Sequence, residues 1–505
     1  MKLRHHLFIG YRKFRRRISS SYFNVFLILV ASLGIFLLLT SIQFNENYRT
    51  EKVRYRSPHR HNDFQSIVQK KSFYTETKIE LKNTKRPFLN NTNLDALKNN
   101  VNLTGASWVD EWKMCHGHPN KIFAYSAYWD NRGGAASVRV IGATLTRYSP
   151  PIECLIRYPN GKSAKSEAQK KLMKEHWNLK YSTYFFNCRS PIPEEPVSVT
   201  IGIKDKLNMS IILFVHRNKE NLSISKGNMA VCVKPLHYSY NRAVWLVEFI
   251  EFYSLMGVQH FYFYNHTVGR DVDAVLRSYI NQGKVTVLPW NLDIKSQKEI
   301  RTEGIFASLN DCLFRTMYRF KYVAMVDFDE FIVPKKHNDY SSLLKDLEKS
   351  SRMKKGKPGS FVFRNTFFYL YWENDTRAYG ILPETLPGNI PYLLTQYKTK
   401  RMRGTMRYGS RSKFIVIPER ALEVGNHVVW KHMSGSFPVL VSEKVALLHH
   451  YRICEFGGFD CTKKPFMIDR SAQRFNTTLL HNVNRQCKYT FHGSCPKAPP
   501  LGSPW

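Results

Sequence analysis

Val323-Ala-Met-Val-Asp-Phe-Asp-Glu-Phe-Ile-Val-Pro334 decides how this chain is read. An apolar run from Tyr322 to Val326 leads straight into two carboxylates, Asp327 and Asp329, with Glu330 beside them. In an extended chain the side-chain period is two, which predicts that Asp327 and Asp329 project to the same side. Two hard oxygen donors at the carboxyl end of a buried strand suit a divalent cation such as Mg²⁺ or Mn²⁺. In open α/β sheets, ligands gather in the crevice outside those strand ends. An isolated Asp-x-Asp more often marks a solvated strand end or a helix N-cap. An EF-hand loop fits worse, because Ile332 stands where glycine is needed and Asn338 where the bidentate glutamate is needed. The surroundings therefore decide.

Working back from Asp327, strands and helices alternate. Ala230 to Val233 is a predicted strand, and Asn241 can cap a helix with Leu246, Phe249, Ile250 and Tyr253 at i, i+3, i+4 and i+7, ending at Gly257. His260 to Tyr264 is the next strand, Val272 to Ile280 a helix, and Val285 to Leu288 a strand. A helix from about Ser296 to Phe320 precedes the strand Tyr322 to Val326. Such alternation implies a mostly parallel sheet with right-handed crossovers, and it places Asp327 and Asp329 at a crevice. From Trp108 to about Asn228 the pattern is strand-like instead. Lys121 to Tyr128 and Ser137 to Thr144 flank a turn with Asn131, Gly133 and Gly134, which reads as a hairpin.

The address narrows the function. The 505 residues carry a formal net charge of +37, which attracts anions in general: nucleic acid, anionic lipid or a phosphorylated small molecule. Tyr22 to Ile42 is a run without a charged residue, long enough to span a bilayer, and it follows seven basic residues with no acidic one. This is the pattern of a retained signal anchor with a cytoplasmic N-terminus. Sequons at Asn90, Asn102, Asn208, Asn221, Asn265, Asn374 and Asn476, and all nine cysteines, follow the anchor. The layout is that of a type II membrane protein with a lumenal body, not of a nucleic-acid-binding protein. The expected domains are a cytoplasmic tail (1–21), the transmembrane segment (22–42), a polar stem (43–105), a β-rich accessory domain (106–228), the α/β domain (229–455) and a cysteine-containing extension (456–505).

Nine cysteines leave at least one outside intrachain pairs. Cys454, Cys461, Cys487 and Cys495 are expected to staple the C-terminus, and Cys312, facing the helix–sheet interface, to be the unpaired thiol. The run Lys398 to Lys413 holds seven basic residues, no acidic ones, and Gly404 and Gly409. It reads either as a solvated basic loop or as a mobile loop that faces a phosphate.

Cys232-Val-Lys-Pro-Leu, Gly257-Val-Gln-His-Phe-Tyr-Phe-Tyr264, Asp311-Cys-Leu, Asp327-Phe-Asp-Glu-Phe-Ile, Lys413-Phe-Ile-Val-Ile-Pro and His449-His-Tyr-Arg452 resemble glycosyltransferase family 92, and Ala127-Tyr-Trp-Asp-Asn-Arg132 fits that family's leading region. The resemblance implies a GT-A-type (Rossmann-like) catalytic domain. Within the family the chain is most similar to invertebrate members that add β1,4-galactose to the core α1,6-fucose of N-glycans. That implies UDP-galactose as donor, a fucosylated N-glycan as acceptor, Mn²⁺ as cofactor and a Golgi address. On this pattern Asp327 and Asp329 hold the metal and a histidine completes the set. His427, His449 and His450 are candidates, with His450, at the end of the last core strand, favoured. Arg411 and Lys413 would face the diphosphate. An inverting transfer also needs a base, and the sequence does not choose among Glu373, Asp375, Glu384 and Glu419. A sugar-binding receptor without turnover, or a metal-dependent phosphodiesterase, are the alternatives; the latter needs a second cluster of Asp and His that is not evident.

Overall fold

The computed structural model describes residues 110–115, 122–205, 210–216, 227–351, 356–381, 391–454, 458–498 and 501. The expected cytoplasmic tail, anchor and stem, and the sequons at Asn90, Asn102, Asn208 and Asn221, lie outside these residues. Among the described residues, no helix is long and apolar enough to cross a membrane.

Eight strands form the first part: β1 (Lys113–Met114), β2 (Phe123–Asp130), β3 (Ser137–Leu145), β4 (Ile152–Arg157), β5 (Ser163–Leu172), β6 (Tyr181–Arg189), β7 (Ser198–Ile203) and β8 (Ile211–His216). Their order is β1-β2-β3-β6-β5-β4-β7-β8, and β2 also pairs with β8, closing seven of them into a barrel. Closure removes sheet edges. Along β4, Ile152, Cys154 and Ile156 point inward, and Cys154 is bonded to Cys188 of β6. The expected hairpin of β2 and β3 is present, paired antiparallel from Phe123–Ala143 to Asp130–Ser137.

The second part is a seven-stranded sheet in the order β11-β10-β9-β12-β17-β14-β20, built from β9 (Gly227–Cys232), β10 (His260–Asn265), β11 (Val285–Pro289), β12 (Phe320–Met325), β14 (Lys357–Phe363), β17 (Lys413–Val416) and β20 (Ser436–Val441). The chain's fold class differs from the expected GT-A-type, Rossmann-like, mostly parallel sheet. Strands dominate, the barrel is closed, and β17 runs antiparallel to both neighbours in the middle of a mixed sheet. The alternation of strands and helices is legible only up to β12, and the strands after Pro334 return in both directions. A separate three-stranded sheet, β13 (Glu330–Pro334), β21 (Ala446–Arg452) and β15 (Asn365–Tyr369), carries the continuation of the Asp-containing stretch. Smaller pairs are β16 (Lys400–Met402) with β22 (Phe466–Ile468), and β18 (Ala421–Val424) with β19 (Val429–His432).

The helices are α1 (Ala243–Leu255), α2 (Arg270–Asn281), α3 (Ile305–Thr316), α4 (Tyr340–Ser350), α5 (Leu394–Tyr397) and α6 (Asn476–Phe491). The helix expected from Ser296 is thus much shorter. It starts at Ile305, after a tight turn in which Thr302, Glu303 and Gly304 take φ of 40°, 49° and 72°. Asn241 does not cap α1. Its Oδ1 accepts from the backbone N–H groups of Asp271 and Val272 and so caps α2, an approach that leaves no room for a side chain at Gly269. Cys312 is not a free thiol either: it is bonded to Cys232, tying α3 to β9, and Cys115 is the cysteine left outside the four disulfides. Cys454–Cys461 and Cys487–Cys495 do close the C-terminal region. That region is no appendage, because Leu479, Leu480 and Val483 of α6 are buried in the same core as α1. Among the remaining sequons, Asn374 is exposed, Asn265 half-buried and Asn476 buried.

One buried carboxylate joins the two parts. Asp311 of α3 accepts from Ser126 Oγ (2.5 Å) and Tyr128 Oη (2.6 Å) of the barrel and from Tyr264 Oη (2.6 Å) of β10, and it pairs with Arg315 (3.0 Å). Nearby, Arg132 is held by Asp130 and donates to the carbonyls of Pro418, Glu419 and Ala421. Removing Asp311 leaves three hydroxyls without their acceptor and the buried Arg315 guanidinium with Asp110 alone, at 2.8 Å. Asp311→Ala is expected to cost about 3–5 kcal/mol in urea unfolding. A loss below about 1 kcal/mol would show that apolar packing alone fixes the barrel.

Candidate active site

The first four strands of the mixed sheet run parallel, so their carboxyl ends share one edge. Lys234 follows the end of β9, and Asp327 the end of β12. Lys413 opens β17, which arrives from the opposite direction. Three distant segments are thereby delivered to one place. Lys234 Nζ lies 2.7 Å from Asp327 Oδ2, and Lys413 Nζ lies 3.2 Å from Asp327 Oδ1 and 3.5 Å from Glu330 Oε2.

The chain between Met325 and Glu330 is a turn, not an extension of the strand. The alternation that predicted Asp327 and Asp329 on one side therefore does not operate. Instead the turn closes on itself: Asp327 N–H donates to Glu330 Oε2 (2.9 Å), and Glu330 N–H to the Asp327 carbonyl (3.1 Å). Phe328 turns inward against Tyr240, with ring centroids 4.3 Å apart. The next strand, β13, pairs Glu330 with His450 of β21. His450 Nδ1 lies 3.3 Å from Glu330 Oε1, and its Nε2 lies 3.3 Å from Asp329 Oδ2. Asn365 Nδ2 also approaches His450 Nδ1, at 3.2 Å.

Alternation along β21 separates the two adjacent histidines. His449 points into the core, stacked on Phe368 at 4.4 Å, and burial pushes its pKa down to about 3. His427 is half-buried beside Ser412, and its partial burial together with the Lys413 charge pushes it to about 3. Of the three candidate histidines, His450 is the one in contact with Asp329.

Burial raises the pKa of Asp327, but the charges of Lys234 and Lys413 outweigh it and hold the carboxyl well below the usual range. Glu330 goes the other way. Burial pushes it up to about 7 against the pull of Lys413. Arg411 is half-buried with φ of 63° and feels the charges of Glu330 and Asp327. The rest of the basic run is not one solvated loop. Lys398 is buried and donates to the Trp372 carbonyl, Lys400 pairs with Glu373 at 2.6 Å, and Arg401 pairs with Asp469 at 3.0 Å. The carboxylates it lacks are supplied from elsewhere in the chain.

Asp329 and His450 fit a divalent cation. Their 3.3 Å separation is close to the edge of about 3 Å between neighbouring ligands on an octahedral ion with bonds near 2.1 Å. Asp327 is placed differently, because both of its oxygens are engaged by ammonium groups. Among the described residues, no three of His, Cys, Asp and Glu converge as a complete cage. Two protein ligands with open positions suit Mg²⁺ or Mn²⁺, which commonly keep water and substrate phosphates as the remaining ligands. Sequence reasoning left Lys234 without a role, although the parallel pairing of β9 and β12 brings it beside Asp327. Of the carboxylates considered as a base, Glu373 is exposed and paired with Lys400, while Asp375 is held by Arg470 and Thr399. Glu419 follows the opposite end of β17, and Glu384 lies outside the described residues.

The two aspartates should separate in a stability experiment. Asp327→Ala takes the bonded carboxylate from Lys234 and the nearer one from the buried Lys413, and is expected to cost about 3–5 kcal/mol. Asp329→Ala removes a partly exposed side chain and is expected to cost about 1 kcal/mol or less. Guanidinium unfolding of both variants measures the contrast, and equal losses would refute the division of labour.

The sequence comparisons agree with this geometry. The model of glycosyltransferase family 92 matches residues 227–490, more than half of the chain, beginning at the first residue of β9 and leaving the barrel outside. The beta-1,4-galactosyltransferase galt-1 of Caenorhabditis elegans is 27% identical over 222 residues, which are 42% of this chain and 51% of that protein. A second family 92 protein of the same organism is 23% identical over 254 residues, 46% of this chain and 47% of that protein. The chain spans about half the length of the curated relatives it matches. With the family match running from β9 through α6, and the charged cluster inside it, this chain belongs to glycosyltransferase family 92.

Proposed function

We propose that the chain transfers galactose from UDP-galactose to a glycan, with inversion, forming a β1,4 linkage to the core fucose of N-glycans. Mn²⁺ is the proposed cofactor, and the proposed setting is the Golgi membrane, with a type II anchor and a lumenal catalytic body. The likeness to a beta-1,4-galactosyltransferase supports the donor sugar. The observation that carries the reading is the cluster of Asp327, Asp329, Glu330, Lys234, Lys413 and His450 at one sheet edge.

In this reading Asp329 and His450 would hold the cation. When bound, the cation supplies Lewis acidity toward the charge that develops on departing UDP. The chain's own residues do the remaining work. Glu330 lies beside Nδ1 of the imidazole, at 3.3 Å, and Nε2 is turned toward Asp329. Lys234 and Lys413 fix Asp327 and so set the turn from which Asp329 projects. Arg411, on the strained segment before β17, adds positive charge for the diphosphate. A site assembled in this way costs little reorganisation when charge develops.

A donor screen tests the proposal. The purified chain is offered each UDP-sugar with Mn²⁺ and a fucosylated N-glycan, and the products are mapped by mass spectrometry and glycosidase digestion. Transfer of galactose to the core fucose is expected, and it should stop when EDTA is added. Preference for another UDP-sugar, addition elsewhere on the glycan, or undiminished transfer in EDTA would overturn the corresponding element of the proposal.

A further inference from the structure

The hairpin between β5 and β6 brings the barrel against the loops that hold Arg301, Glu299 and Trp430. At its tip Arg301 Nη1 donates to the Glu175 carbonyl (2.6 Å) and to Oε2 (3.1 Å), and Trp430 Nε1 donates to Glu175 Oε1 (3.3 Å). Lys180 pairs with Glu299 at 3.0 Å. Trp430 belongs to β19, and the turn joining β18 to β19 carries Asn426, whose Oδ1 accepts from Lys413 Nζ at 2.6 Å. Two contacts on one small hairpin thus link the barrel's tip to the lysine that binds Asp327.

Glu175, Trp177 and Asn178 all have positive φ, at 60°, 56° and 54°. Non-glycine residues take that conformation only where the surroundings enforce it. Of the thirteen such residues in the described chain, nine lie on four loops at this edge: Tyr238, Ser239, Gln297, Thr302, Glu303, Arg411 and the three at the tip. Strain gathers on the loops at this edge, and the barrel's tip shares in it. Trp177 is 60% exposed, although the Arg301 guanidinium sits 3.9 Å from its ring centroid. The indole is therefore fixed by its backbone and by a cation on the ring, yet most of its surface is open.

We infer that Trp177 is a platform on which a sugar ring of the acceptor glycan stacks, which makes the barrel part of the substrate site. A pyranose presents a face of C–H groups, and a large aromatic face is its chemical complement. Holding that indole in advance lowers the ordering cost of binding. The acceptor suits this place better than the donor. The charged groups that answer a diphosphate surround Asp327, whereas Arg301 at the tip is engaged by Glu175. The inference rests on the glycan-acceptor reading above and does not depend on which sugar is transferred.

Kinetics of the full chain with Trp177→Ala and Trp177→Phe provide the test. Trp177→Ala should raise the acceptor KM about tenfold, leave the donor KM and the melting temperature unchanged, and be largely rescued by Trp177→Phe. An acceptor KM within twofold of the parent, or an equal rise for donor and acceptor, overturns the inference. Capture of the parent chain and of Trp177→Ala on an array of N-glycans separates this test from the donor assignment, because it needs no turnover. If no UDP-sugar supports transfer, array capture that disappears in Trp177→Ala still sustains the platform. Capture that persists in the variant, or is absent from the parent, overturns it.

Discussion

A carboxylate held between two ammonium groups sets the geometry on which this catalytic edge depends. Asp327 follows β12, Lys234 follows β9 and Lys413 opens β17, so the three charges join adjacent strands at the point where the sheet changes from parallel to antiparallel. Burying such charges is costly unless each is matched, and here the matching is reciprocal. Its consequence is local. With Asp327 fixed and Phe328 packed on Tyr240, the next two residues have little freedom, and Asp329 is presented toward His450. Glu330 closes the arrangement by bonding back to Asp327 N–H and by facing the imidazole.

A second buried carboxylate, Asp311, gives the barrel a fixed position beside the sheet. It gathers hydroxyls from β2 and β10 around a residue of α3, and the Cys232–Cys312 bridge ties that helix to β9. The helix is therefore fastened to both parts of the molecule. Once the barrel is anchored, its β5–β6 hairpin reaches Arg301 and Trp430. Polar joints in apolar surroundings define position more sharply than apolar contacts, because displaced donors lose their partners.

Much of the site could be read from the sequence, but for reasons that hold only in part. The apolar run into Asp327, and the alternation of strands and helices before it, located the carboxyl end of β12. The same pattern suggested a mostly parallel sheet throughout, whereas β14, β17 and β20 are short returning strands whose direction no local periodicity reveals. Pleat alternation was the wrong basis for pairing Asp327 with Asp329, because hydrogen bonding of the Glu330 side chain bends that segment into a turn. Alternation along β21 turns His449 and His450 opposite ways, so that only His450 of this pair lies beside Asp329. Lys234, Glu330 and Asn426 had no legible role, since each acts through partners brought close by tertiary structure. Cys312 was misassigned because its partner is 80 residues away, a separation that carries no spacing signal.

We propose that Asp329 and His450 hold the metal, while Asp327 serves the lysines. Direct Mn²⁺ binding, followed by electron paramagnetic resonance with and without UDP, tests it without relying on turnover. The account predicts weak binding of Mn²⁺ alone, much tighter binding with UDP, and loss of both in Asp329→Asn and His450→Ala. Mn²⁺ affinity that survives both substitutions, or that does not respond to UDP, would contradict it.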